Sequence, residues 1–194
     1  MKLFLILLFI IPVLFSCTSN ANLAQENRLE DQNNSQDITK NWVDFESEDG
    51  RFRIKMPGIP TKETTKEVTD VGEILVELFL YEESATVAYI IGYNDYPSAL
   101  FENATDVLYK EMLLGGVEGF TENVGLDIIE TSNDISLGKA KGIAVRAKSS
   151  TNSFYVHYRA YIISNRLYQI GILRDGSYPA KDKSDAFFGS FQLM

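Results

Sequence analysis

Nine segments between Trp42 and Met194 carry apolar residues at alternate positions or in short apolar runs, bounded by turn residues. A period of two is typical of β-strands that bury one face. The nine segments are WVDFES, RFRIKM, KETTKEVTD, EILVELFLY, ATVAYIIGYNDY, LDIIET, GIAVRAKSS, SFYVHYRAYII and RLYQIGILR. Short turns such as Asp49-Gly50 and Asn165-Arg166 join neighbouring segments, which favours antiparallel pairing.

The period changes after the fifth segment. From Pro97 to about Gly116 the apolar residues fall three or four apart, which predicts a helix. Asn103, with Asp106 three residues on, is the expected cap at its start, and Gly115-Gly116 its expected end.

The last ten residues, DAFFGSFQLM, predict a second helix with Phe187 and Phe191 on one side. Two helices and a mainly antiparallel sheet make the fold class α+β, with the helices packed on the sheet. The stretch 42–194 is long enough for one domain with its own core.

The N-terminus has the organisation of an export signal. Lys2 precedes an unbroken apolar run over residues 3–14, too short to cross a bilayer as a helix but typical of a signal peptide. Leu14, Phe15, Ser16 and Cys17 resemble the bacterial lipobox. That resemblance implies that residues 1–16 are removed and that the sulfur of Cys17, the only cysteine, receives a diacylglycerol of palmitate type.

Residues 17–41 predict a lipidated cysteine followed by a disordered tether, because they lack aromatic residues and are crowded with Asn, Gln, Ser and acids. The first acid after the cysteine is Glu26. We therefore expect a protein of the bacterial cell envelope, held to a membrane by its lipid and facing the periplasm.

Four segments, FESEDGRFRIKMPGIP, LGKAKGIAVRAK, NRLYQIGIL and AFFGSFQL, resemble exported bacterial proteins of the PsbP-like family. The resemblance spans nearly all of residues 42–194. It implies an α/β/α sandwich of the kind that Mog-type Ran-binding proteins share, and an accessory or binding role.

The sequence contains no motif for catalysis, phosphate binding or metal binding, so we predict a non-catalytic protein with no cofactor and no metal. A serine-histidine-acid site would need His157, the only histidine. Its place in an alternating strand favours a structural histidine on the face of a sheet.

Charge is divided unevenly along the chain. Residues 42–134 carry 20 acids and 6 bases, a net of −14, whereas residues 135–194 carry 3 acids and 9 bases, a net of +6. An acidic protein of this kind does not attract nucleic acid through its overall field. Two interpretations stay open: internal pairing of acidic with basic strands, or an exposed basic face for an acidic protein or anionic ligand.

The alternation places the candidate partner-binding face on two consecutive strands. Its residues are Arg146, Lys148, Tyr155, His157, Arg159 and Tyr161. The leading hypothesis is an envelope lipoprotein that acts as a binding or assembly module. The alternatives are an envelope hydrolase with an unrecognised site and a purely structural lipoprotein.

Overall fold

The computed structural model describes residues 38–69 and 71–194. The predicted signal peptide, Cys17 and the predicted tether as far as residue 37 lie outside the described residues. The strands are β1 (Val43–Ser47), β2 (Phe52–Met56), β3 (Thr61–Thr69), β4 (Gly72–Ser84), β5 (Val87–Asp95), β6 (Leu126–Leu137), β7 (Ala140–Ser149), β8 (Phe154–Ile163), β9 (Arg166–Asp175) and β10 (Gln192–Leu193). The helices are α1 (Asp106–Val124) and α2 (Lys181–Ser190), with a 3-10 turn at Ser98–Phe101.

Seven strands form one antiparallel sheet in the order β3-β4-β5-β9-β8-β7-β6. Helix α1 covers one face of this sheet. Helix α2 and a small sheet of β1, β2 and β10 cover the other. The predicted α+β class, with helices on a mainly antiparallel sheet, is confirmed.

Two hydrophobic cores result, one on each face of the large sheet. Residues on opposite faces of the same strand belong to different cores. Tyr158 of β8 packs under α1, whereas Tyr161 packs under the small sheet. The second core is rich in aromatic rings, among them Phe52, Phe187 and Phe191, all at most 2% exposed.

The first hairpin differs from the expectation of one continuous sheet. β1 and β2 pair with each other as predicted, but β2 then pairs with β10 instead of joining β3. The apolar side of β2, with Phe52, Ile54 and Met56, covers the second core on the side opposite the large sheet. The alternation of β2 is the same in either sheet, so the pattern alone does not decide between them.

Helix α1 begins and ends later than predicted. Thr105, not Asn103, is its N-cap, and the Thr105 hydroxyl accepts a hydrogen bond from the Leu108 N–H at 3.4 Å. The helix continues through Gly115-Gly116 and ends at Gly125, whose φ of 67° is left-handed. A left-handed residue ends a helix more effectively than a flexible helical glycine does.

The C-terminal segment is only partly helical. Helix α2 begins at Lys181, earlier than predicted, and ends at Ser190, after which Phe191 takes an extended conformation. Gln192 and Leu193 then form β10 against Arg53 and Phe52. Within the described residues, neither helix has the length and hydropathy needed to cross a membrane.

Candidate functional site

The polar face of the β7–β8 hairpin points towards α2, on the side of the second core. Arg146 lies directly across from His157 in the register of the two strands, and Ala144 lies across from Arg159. The opposite face of the hairpin, with Val145 and Tyr158, is buried under α1. Alternation along both strands thus brings two cations and the histidine together, as the sequence predicts.

A cleft of about 190 Å³ separates this face from the first turns of α2. Strands β6, β7 and β8 form its floor and α2 forms one wall. Its lining includes the polar side chains of Glu130, Ser132, Arg146, His157, Arg159, Lys181, Ser184 and Asp185, together with the ring of Phe188. The volume is smaller than the ~300 Å³ at which pockets for whole small molecules begin. It suits a single side chain or a head group.

His157 is fixed by contacts on two sides. Its Nδ1 lies 2.8 Å from the hydroxyl oxygen of the buried Ser184, and its ring stacks on Tyr178 with centroids 5.4 Å apart. Its Nε2 is buried and has no hydrogen-bond partner among the described residues. The predicted structural histidine is therefore only half satisfied, because one ring nitrogen still lacks a partner.

The two arginines are held by aromatic rings. The Arg146 guanidinium lies 4.1 Å from the centre of the Tyr178 ring, and that of Arg159 lies 4.6 Å from the centre of Phe188. A ring under a guanidinium fixes its plane while the N–H groups along the edge stay free to donate.

Arg146 and Arg159 differ in their ion pairing. Arg146 donates to Glu130 at 3.1 Å, in a pair whose side chains are 48% and 63% exposed. Arg159 makes no ion pair with any of the described residues. Lys181 is paired with Asp185 one turn along α2. Arg159 is therefore the cation of the cleft with the most unused hydrogen-bonding capacity.

The electrostatics of the cleft favour a neutral imidazole. Burial lowers the pKa of His157, and the positive charges of Arg146 and Arg159 lower it further, against a smaller opposing effect of Asp185 and Glu130. Near neutral pH the ring is uncharged and the arginines supply the positive charge.

Three of the six residues predicted for the partner-binding face, Arg146, His157 and Arg159, line the cleft. Tyr155 lies at its edge, with its ring 4.9 Å from that of Tyr178. Lys148 is exposed and lies outside the lining. Tyr161 lies on the same face of the hairpin, but its prediction as part of a partner-binding surface is wrong: it is 4% exposed and its ring stacks on that of Phe191, because the small sheet covers that end of the hairpin.

Sequence reasoning missed the wall contributed by α2 and the loop before it. Ser184 and Phe188 are four residues apart on α2, so they lie on the same side of that helix and face the cleft. This spacing was the available signal. Only the three-dimensional fold places Ser184 beside His157, 27 residues earlier.

The pair of Ser184 and His157 contains two members of a serine-histidine-acid site. No carboxylate among the described residues bonds to the other ring nitrogen, and Ser184 is only 5% exposed. A nucleophilic serine needs both an oriented base and access to its substrate. The geometry is that of a buried polar contact.

The charge asymmetry is partly resolved by ion pairs within the fold. Four ion pairs join an acid of the first, acidic part to a base of the second, basic part. They are Glu83–Lys183, Asp95–Arg166, Asp106–Lys141 and Glu130–Arg146. Internal pairing with the acidic part thus accounts for four of the nine bases of the basic part, and Arg159 is not one of them.

Residues 38–69 and 71–194 hold no group of three or more potential metal-binding side chains. No protein-family model and no curated protein sequence matches the chain.

Solved structures that are similar in backbone include the following two. Cyanobacterial PsbP (CyanoP) from Synechocystis sp. PCC 6803 has 12% sequence identity and a TM-score of 0.48, over 79% of this chain and 93% of that one. A protein from Bacteroides thetaiotaomicron VPI-5482 has 11% identity and a TM-score of 0.41, over 78% of this chain and 48% of its own. A likeness at this level concerns the path of the backbone and leaves ligand and activity open.

Proposed function

We propose that this protein is a lipid-anchored binding module of the bacterial envelope that holds an acidic group of a partner protein in the cleft between β7–β8 and α2. The observation that carries the proposal is the Arg159 guanidinium, which lines the cleft, lies over the Phe188 ring and makes no ion pair with the described residues. Carboxylates accept from guanidinium groups more strongly than neutral acceptors do.

A protein partner fits the cleft better than a free metabolite does. The volume accommodates one acidic side chain, and the rim carries Tyr155 and Tyr178. Arginine and tyrosine are among the residue types most enriched where protein partners bind tightly. The net charge of −9 sets up no general attraction for acids, so the local arrangement of arginines has to supply it.

Binding of a short polyglutamate peptide tests the site. We expect the protein to bind a fluorescently labelled peptide at low salt, and Arg159→Gln to weaken that binding about tenfold, or ~1.4 kcal/mol. Lys110→Gln is the matched control, because it removes the same charge from an exposed position on α1. Equal affinities of the wild type and Arg159→Gln would refute the cleft as the binding site.

The membrane anchor rests on the lipobox-like segment that ends at Cys17. Cys17→Ala should abolish incorporation of labelled palmitate and move the protein from the membrane fraction to the soluble fraction. Two or more acyl chains are needed for stable anchoring, so the loss should be nearly complete. A variant that still sediments with membranes after a high-salt wash would contradict the lipoprotein proposal.

An envelope hydrolase is the second candidate, favoured by the 2.8 Å contact between Ser184 and His157. Covalent labelling by a fluorophosphonate probe, lost in Ser184→Ala, would favour it. We expect no labelling, because the hydroxyl is buried and no carboxylate orients the imidazole.

A further inference from the structure

Four polar side chains lie inside the apolar core between the large sheet and α1. They are Asn94, Tyr96, Tyr158 and Gln169, which are 0%, 1%, 2% and 2% exposed. All four are on the far side of the sheet from the cleft, so the proposed function makes no use of them.

The strand register places these groups close together. Gln169 of β9 lies between Gly92 of β5 and Ala160 of β8, and Asn94 is two residues along β5 from Gly92. On one face of a sheet such diagonal neighbours are within reach of each other's side chains. The Tyr158 hydroxyl donates to Gln169 Oε1 at 2.7 Å, which joins two members directly.

Much of the hydrogen-bonding capacity of the group is unused. Asn94 Nδ2, Asn94 Oδ1, the Tyr96 hydroxyl and Gln169 Nε2 are all buried and make no hydrogen bond of ordinary geometry with the described residues, although Asn94 lies close enough to Tyr96 to oppose the rise in the pKa of its hydroxyl. Buried polar atoms in native proteins are almost always bonded, either to protein or to ordered water.

The space around the group is narrow. The Phe120 ring of α1 stacks on Tyr158 with centroids 4.5 Å apart. Helix α1 also approaches β9 so closely that a Cβ atom on Gly116 would lie 2.8 Å from Leu167 Cδ2. A ligand here has to be very small, and it has to both donate and accept, because the unused atoms include amide donors and a carbonyl acceptor.

We propose that Asn94, Tyr96 and Gln169 form an internal hydration site that holds ordered water between the large sheet and α1. Water meets both requirements, since it typically makes about three hydrogen bonds in such sites. The site is uncharged: burial raises the pKa of Tyr96 to about 12 and that of Tyr158 well above its ordinary value, so both hydroxyls stay protonated at neutral pH.

Nuclear Overhauser contacts between water and side-chain amides test this site in the ¹⁵N-labelled protein, purified from membranes. We expect cross-peaks from the water line to the amide protons of Asn94 and Gln169, with the sign of a long-lived water. The amide of Asn152, in an exposed turn, is the control and should show no such peak. Absence of the peak at both buried amides would overturn the proposal.

Two variants test whether the cross-peaks come from water held at this site. Tyr96→Phe leaves no hydroxyl at that position to relay magnetisation, so the Asn94 peak should persist, although weakened; its loss while the Gln169 peak keeps its full strength would mean that the Asn94 peak comes from the Tyr96 hydroxyl and not from water. Gln169→Met is close in shape and removes one side of the site, so the Asn94 peak should weaken in a folded protein. Contacts to non-exchangeable protons of a co-purified molecule would also overturn the assignment to water.

Discussion

His157 should make stability depend on pH. Its pKa is lowered from 6.5 in the folded protein, mainly by burial, so folding favours the neutral ring. The contribution of the neutral His157 ring to the free energy of unfolding is complete above about pH 6.5. It is lost as the pH falls towards the lower pKa of the folded state, because the unfolded chain takes up the proton first. The midpoint of urea unfolding should therefore fall between about pH 7.5 and about pH 5.

His157→Gln isolates this effect from the titration of carboxyl groups. The variant has no imidazole to protonate, so its unfolding midpoint should change less over the same pH range than that of the wild type. Parallel changes in both proteins would show that His157 is not a source of the dependence.

Reversing the two cleft arginines together should cost stability even though both are partly exposed. Each loses a cation–π contact of ~0.5–1 kcal/mol, and Arg146 also loses an exposed ion pair of ~0–1 kcal/mol. We expect Arg146→Glu with Arg159→Glu to lower the free energy of unfolding by about 1–3 kcal/mol. Denaturant unfolding measures it.

The control for that pair is Lys110→Glu with Lys139→Glu, which makes the same change in net charge at two exposed positions. Surface substitutions of this kind usually cost within ~0.5 kcal/mol each. An equal loss in both double variants would assign the effect to net charge, against a structural role for the cleft arginines.

At the level of the helices, two glycines should respond oppositely to the same substitution. Gly116→Ala places a methyl group 2.8 Å from the fully buried Leu167, and overpacking costs ~1–3 kcal/mol. Gly189→Ala meets no atom within 4 Å and should gain ~0.5 kcal/mol from helix propensity. Thermal melting distinguishes them. A stabilising Gly116→Ala would show that α1 can move away from the sheet.

The C-terminal segment should be essential for folding. Deletion of residues 187–194 removes the buried rings of Phe187, Phe188 and Phe191. Replacing one such ring by alanine typically costs ~3–5 kcal/mol, whereas the free energy of unfolding of a whole domain is typically ~5–15 kcal/mol. Circular dichroism should show an unfolded or nearly unfolded chain.

Deletion of residues 192–194 alone is the comparison. It removes β10 and the bonds from Arg53 to Gln192 but leaves the three phenylalanines in place. This variant should fold with reduced stability. Melting of the longer deletion at the wild-type temperature would contradict the role assigned to the rings.

Alternation predicted β2 and β7 well because each buries one face and leaves the other polar or exposed, whereas β5 and β9, buried on both faces, are recognised as nearly continuous apolar runs. It could not assign β2 to the small sheet, since the partner β10 is only two residues long and carries no pattern of its own. Asn103 and Thr105 are both good capping residues, so composition could not choose between them. The cleft joins β8 to α2, and no local pattern encodes that contact.

For the whole molecule, buried tyrosines should set the alkaline limit of stability. Burial is the main cause that raises the pKa of five of the ten: Tyr89, Tyr93, Tyr96, Tyr158 and Tyr168. Folding favours the protonated form of these tyrosines. Their contribution to the free energy of unfolding is therefore complete below about pH 10 and is lost as the pH rises further. Their ionisation, followed by ultraviolet absorbance, should coincide with unfolding.

Tyr89→Phe should raise the pH at which alkaline unfolding occurs. The Tyr89 hydroxyl is buried without a hydrogen-bond partner among the described residues, so its removal costs little at neutral pH. An unchanged alkaline midpoint would remove Tyr89 from the groups that limit stability.

The pairing of β2 with β10 joins the start of the domain to its end, from Arg53 to Gln192. Synthesis delivers β10 139 residues after the part of β2 that it pairs with, so β2 has to wait for it. The second core therefore cannot close until β10 has left the ribosome. If the chain is exported as proposed, this delay works in its favour, because a domain whose interior is completed by so late a strand can still pass unfolded through a narrow translocation pore until that strand is delivered.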